Sequence, residues 1–256
     1  MKIGCCGGDT YFWSLIEESG FDFIEVPVEF VINETNGFSQ LRAFVQKSRI
    51  RAEACNCFIP SSLKVAGPEA DLQKLNKYVD SVFGKVKEVG CEIIVFGSGG
   101  SRTPPEGFPI DQAILQIKNF LNSISESADK HGITVVVEPL HHIHTPLINT
   151  VKTAREICGS INKKPIKYLA DLFHMAEEKE PFENLNPIEN LYHVHIPFPE
   201  ERFDVKRFIG ILKNFGYNKR ISIEDHTGIS AKIRDLKGNQ KEFFDNTLKQ
   251  IKELSD

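Results

Sequence analysis

Short apolar runs rich in β-branched residues alternate along this chain with stretches whose apolar residues recur every three or four positions. The runs predict eight strands, over Lys2–Cys6, Asp22–Val26, Ile50–Phe58, Cys91–Gly97, Ile133–Glu138, Ile166–Asp171, Leu191–Ile196 and Arg220–Glu224. Between them, Leu72, Leu75, Val79, Val82, Phe83, Val86 and Val89 keep a helical period, with Pro68 near the start and Gly90 just past the end. Ile114, Ile117, Leu121, Ile124 and Ala128 repeat that period before Gly132. Asp204 is placed to cap a helix carrying Val205, Phe208, Ile209, Leu212 and Phe215, which Gly216 closes. Phe244, Leu248 and Ile251 form the inner stripe of a last helix.

Ile93–Phe96 and Ile133–Val137 are unbroken apolar runs, as strands covered on both faces require. The first strand begins at residue 2 and the eighth at residue 220, so successive strands start about 31 residues apart, the spacing of an eightfold β/α repeat of ~250 residues. The expectation is an α/β chain folded as one (β/α)8 TIM barrel, a single domain over residues 1–256. A doubly wound open sheet is disfavoured by the eight regular units and by the lack of G-x-G-x-x-G after the first strand.

The 256 residues carry 31 Lys+Arg against 35 Asp+Glu, a net charge of −4. That balance argues against nucleic acid and against an anionic membrane surface as partners. No apolar run approaches a secretory signal or a membrane span. The six cysteines, at 5, 6, 55, 57, 91 and 158, make no C-x-x-C pair, so a cytoplasmic protein with free thiols is expected.

All eight histidines fall between residues 131 and 226, mostly on or after the last four strands. Carboxylates gather in the same place. Glu138, Asp171 and Glu224 each end an apolar strand, where a charge needs a partner, water or an ion. In a barrel those ends point into the mouth. His193 and His195 share one face of the seventh strand, with His195 nearer the mouth. Glu138, Asp171, His195 and Glu224 therefore come from four adjacent strands and can meet at one point. Three carboxylates and one imidazole suit Mn²⁺, Mg²⁺ or Co²⁺ better than structural zinc.

Several motifs give the chain a wider likeness: Phe96-Gly-Ser-Gly-Gly-Ser-Arg102 with Pro105-Glu-Gly107, Glu138-Pro-Leu140 leading to Leu147-Ile-Asn-Thr150, Asp171-Leu-Phe-His174-Met175, His193-Val-His195 and Ile223-Glu224. On these motifs the chain resembles, over essentially its whole length, the xylose isomerase-like barrel family, in the sugar isomerase and epimerase branch that includes ketose 3-epimerases. The resemblance implies a divalent metal held by Glu138, Asp171, His195 and Glu224, with Mn²⁺ first and Mg²⁺, Co²⁺ or Zn²⁺ as alternatives. It implies that Glu138 and Glu224 are the catalytic acid/base pair and that His174 and Arg202 contact substrate. His144 stands where epimerases carry a substrate-binding glutamate, and Arg202 lies one residue further from His195 than is usual. The implied partner is a small sugar, and the family often forms dimers or tetramers.

The expected reaction is isomerisation or epimerisation of a small ketose or related polyol ketone, by proton abstraction through a metal-bound enediolate. A lyase or dehydratase acting on an inosose or oxidised glycoside starts the same way, with His142 or His144 protonating the leaving group. An apurinic-site endonuclease would need further histidines on early strands, and none precedes residue 131. A non-catalytic sugar-binding subunit would not need the whole ligand set. Among lesser features, the Gly97–Arg102 turn can cradle an anion or simply make a tight bend. His142 and His226 read as outer or solvated groups, Cys55 and Cys57 as core, Phe12 and Trp13 as core or pocket wall, and Glu25 as a strand end that can reach substrate.

Overall fold

A computed structural model describes residues 1–236 and 238–255. Eight parallel strands close into a barrel in chain order: β1 (Lys2–Cys6), β2 (Phe23–Pro27), β3 (Ala52–Asn56), β4 (Ile93–Phe96), β5 (Thr134–Val137), β6 (Ile166–Asp171), β7 (Leu191–Pro197) and β8 (Arg220–Glu224). The ring closes where β1 pairs with β8, Lys2 opposite Arg220 and Cys5 opposite Ile223. This is a (β/α)8 TIM barrel, as the 31-residue spacing predicts. Three strands, β3, β4 and β5, are trimmed at both ends relative to the apolar runs, and Glu138 lies one residue past β5.

The helices follow their capping signals. Asp71 accepts from the backbone N–H groups of Gln73 and Lys74 at the start of the helix Leu72–Glu88. Asp204 accepts from Arg207 N–H at the start of Val205–Asn214. Gly132 takes the left-handed conformation, φ +66°, that ends the helix Ile110–His131. The sequence pattern did not mark the helices Val28–Ile32 and Ser39–Lys47, which fill the connection between β2 and β3. Trp13 belongs to the core: its indole donates to Gly7 O at 2.8 Å and its ring packs against Phe30 and Phe44.

Strand alternation sorts the side chains into two cores. Ile94, Phe96, Val135 and Val137 face out and pack under the helices, while Phe23, Ala54, Ile93, Val95, Val136 and Leu169 point inward and plug the barrel. Two residues further along β2, β5 and β6 the inward positions become Glu25, Glu138 and Asp171. On β7 and β8 the corresponding pairs are His193 then His195, and Ser222 then Glu224. The polar cluster is thus the upper layer of the barrel interior, seated on an apolar plug.

Candidate active site

Register brings the upper layer together. Asp171 lies beside His195 and His195 beside Ser222 in the ladder, with Glu224 two residues above Ser222. One ligating atom from each of Glu138, Asp171, His195 and Glu224 lies within 4.8 Å of the others. His195 Nδ1 is the hub, 3.3 Å from Glu138 Oε1, 2.7 Å from Glu224 Oε2 and 3.9 Å from Asp171 Oδ2. These distances suit donors gathered on one ion: atoms ~2.1 Å from a common centre stand roughly 3 Å apart when adjacent and about 4 Å apart when opposed.

Hydrogen bonding gives an independent test of fit. Glu138 Oε1, Asp171 Oδ2 and His195 Nδ1 are buried and make no hydrogen bond. Buried polar atoms are rarely left so, and three of them converging is what a cation site requires. Asp171 shows how the chain arranges this. Its Oδ1 caps the short helix Leu172–Glu177, accepting from Phe173 N at 2.7 Å, so the carboxylate is fixed with Oδ2 turned toward the cluster. The residues present can hold a divalent ion.

The charges interlock. Burial pushes the Glu138 carboxyl up to about 7. Burial also raises Glu224 and Asp171, but the imidazoles prevail there: His195 and His226 hold Glu224 well below the ordinary carboxylate range, and His226 and His174 bring Asp171 down to about 2. Against its own burial His195 is held cationic, chiefly by Glu25 and Glu224. The cluster demands positive charge at its centre, the condition a divalent cation meets.

Above it opens a cavity of ≈ 390 Å³, within the range of small-molecule sites, lined among others by Glu138, His144, His174, Glu224 and His226. Asp171 and His195 are fully buried behind it, His195 against Glu138 and Glu224 and Asp171 against His226 of its wall. His174 Nδ1 accepts from His141 N–H at 3.2 Å, so the neutral ring carries its proton on Nε2, which faces Asp171. Burial lowers His174 to about 4, keeping it neutral. His144 is exposed at the rim, its ring 4.5 Å from that of His141. Arg202 stands apart: it pairs with Glu177 and Glu200 at 3.2 and 3.3 Å, lies over the Phe203 ring, and lines a neighbouring cleft. The structure does not bring it to the central cavity.

Other expectations are corrected. Glu25 is fully buried and does not line the cavity. Its Oε2 accepts from Ser222 Oγ–H at 2.6 Å and pairs with His193 Nε2 at 2.8 Å, while its Oε1 stands 3.0 Å from His195 Nε2. A carboxylate behind a ligating histidine orients the ring and raises its basicity. Glu25→Gln should therefore weaken divalent-ion binding by about 10–100-fold, measured by chelator competition. The signal was present: Glu25 sits two residues above inward-facing Phe23. Cys57 is not core, because β3 ends at Asn56 and Cys57 turns to φ +53°, exposed at the cavity wall. Cys55 is core. His142 is exposed and pairs with Glu178 at 2.7 Å. His226 is half-buried at the cavity wall, an outer position as expected, with its Nε2 against Asp171 and Glu224.

The Gly97–Arg102 turn serves Glu138. A Cβ on Gly97 would collide with Glu138 Oε2, so only glycine lets the carboxylate lie where it does. Arg102 is fully buried, and its Nη1 donates to Glu138 O at 2.9 Å, tethering the backbone. Gly97→Ala should displace the carboxylate and lower turnover by at least 10-fold while the barrel stays folded, checked by steady-state kinetics beside far-UV circular dichroism.

The profile of the family described as "Xylose isomerase-like TIM barrel" matches residues 13–242. A 3-dehydro-D-guloside 4-epimerase of Escherichia coli (strain K12) is 26% identical over 192 residues, 71% of each chain. A D-psicose 3-epimerase crystallised in the presence of D-fructose superposes with a TM-score of 0.81, at 17% identity, over 100% of this chain and 99% of that one. The IolI protein with a bound zinc atom superposes with a TM-score of 0.76, at 17% identity, over 100% and 98%. No helix among the described residues is long and apolar enough to cross a membrane. The chain belongs to the xylose isomerase-like TIM-barrel family, as an enzyme of the isomerase and epimerase class.

Proposed function

We propose that this chain is a divalent-metal-dependent sugar epimerase or isomerase that moves a proton at the carbon beside the carbonyl of a small ketose or keto-glycoside. The observation that carries this reading is the convergence of buried, unbonded donor atoms from Glu138, Asp171 and His195, with Glu224, under a sugar-sized cavity. The relative acting on a 3-dehydro-guloside and the neighbour crystallised with D-fructose support a ketone-bearing sugar as substrate. The oxygen-rich donor set supports Mn²⁺, Mg²⁺ or Co²⁺, and the zinc in IolI keeps Zn²⁺ open.

Glu138, Asp171, His195 and Glu224 would hold a divalent ion, which would supply Lewis-acid polarisation of the substrate carbonyl and so acidify the neighbouring C–H. Glu138 follows the end of β5, Glu224 ends β8, and both line the cavity. One removes the proton from one face of the substrate carbon, and the other returns a proton to the opposite face. His174 donates from Nε2 to a substrate oxygen, its tautomer set by the His141 backbone. His144, at the rim, contacts the distal part of the sugar. Buried Arg102 and Gly97 hold Glu138 in register.

The test is a panel of free ketohexoses and 3-keto-glycosides incubated with the Mn²⁺-loaded chain and followed by NMR. The expected result is inversion at a carbon next to the carbonyl, lost when the ion is chelated. Elimination or glycoside cleavage, or turnover indifferent to chelation, would overturn this reading.

A further inference from the structure

His226 lies two residues beyond Glu224, outside the strand, yet its Nε2 reaches two members of the same cluster. It stands 2.9 Å from Asp171 Oδ2 and 3.2 Å from Glu224 Oε2, the two carboxylate oxygens that also face His195 Nδ1. Both distances match the separation of roughly 3 Å expected of neighbouring donors on one ion. The nitrogen is buried and makes no hydrogen bond of acceptable direction, the condition of the other cluster atoms. The ring is also held in place: it stacks on Phe173 at 4.4 Å with 7° between the planes. Phe173 follows Asp171 closely, so the helix that Asp171 caps also carries the platform for His226.

We propose that His226 is a fifth protein donor to the divalent ion, through Nε2. This rests on the metal-dependent reading above and sharpens it. A second imidazole changes the donor set from three oxygens and one nitrogen to three oxygens and two nitrogens. Nitrogen donors favour Co²⁺ and Zn²⁺ over Mg²⁺, so His226 sets which ion the site prefers.

The test uses the full chain stripped of metal and titrated with Co²⁺ and, separately, Mg²⁺. Binding is followed by calorimetry and, for Co²⁺, by visible absorption. His226→Ala should weaken Co²⁺ binding by about 10–100-fold or more, the loss seen when even a supporting partner of a metal ligand is removed. It should change the Co²⁺ spectrum, leave Mg²⁺ binding within a few-fold, and be partly restored by free imidazole. Equal losses for both ions without imidazole rescue would make His226 a packing residue and overturn the proposal. Unchanged Co²⁺ affinity and spectrum in His226→Ala, with His195→Ala losing the ion, would overturn it and leave the metal reading standing. Failure of the unaltered chain to take up either ion would remove both.

Discussion

Glu138→Gln and Glu224→Gln should each lower turnover by about 10²–10⁴-fold, the usual size of a general acid/base term. Glutamine keeps roughly the shape of glutamate and can still offer an oxygen to an ion, but it cannot accept the proton. The two variants should fail differently. With Glu138 replaced, Glu224 still faces one side of the substrate, so one epimer should exchange its proton with solvent without being converted. With Glu224 replaced, the other epimer should do so. Proton NMR of each epimer in D₂O, alongside conversion rates, separates the two. Near-normal turnover in both variants with metal bound would transfer the proton chemistry to another group, with His174 or His144 next in line.

His195→Ala and Asp171→Asn should each abolish tight uptake of a divalent ion, which the unaltered chain should bind at one per chain. His195 Nδ1 is the atom on which the other donors converge, and Asp171 Oδ2 is the carboxylate oxygen that it shares with His226. Metal analysis after Mn²⁺ loading and gel filtration reads the occupancy. Stability gives a second readout, because an ion that binds only the folded chain stabilises it by about 2.7 kcal/mol at a hundredfold excess over Kd. For a chain of this size that is a rise in melting temperature of about 5–10 °C. Both variants should lose the rise. Normal occupancy in both would remove the proposed site.

Much of this was legible along the chain. The eight apolar runs at regular spacing gave the barrel, because parallel strands buried on both faces need unbroken apolar sequence and each needs a helix to return. Glu138, Asp171 and Glu224 stood out as charges ending such runs, and period-two alternation paired His193 with His195. The strand ends were less legible, since hydrophobicity does not say where a ladder stops: Cys57 reads as strand but turns to positive φ. The supporting layer was harder still. Glu25, Ser222 and Arg102 act through contacts made across the barrel or between loops, as in the hydrogen bond between Ser222 and Glu25. His226 sits beyond a strand end, where periodicity no longer fixes direction; packing against Phe173 does that. Arg202 shows the opposite case, a position carried over from resemblance that the structure places with Glu177 and Glu200 instead.

In the proposed reaction a proton leaves and returns at the carbon beside a sugar carbonyl, handled by Glu138 and Glu224 over a divalent ion. Single-turnover conversion in D₂O by the ion-loaded chain, with the product analysed by mass spectrometry and NMR, tests it most directly. The expected product carries one solvent deuterium per molecule, at the inverted carbon next to the carbonyl and nowhere else. Product formed without solvent deuterium at that carbon would contradict it.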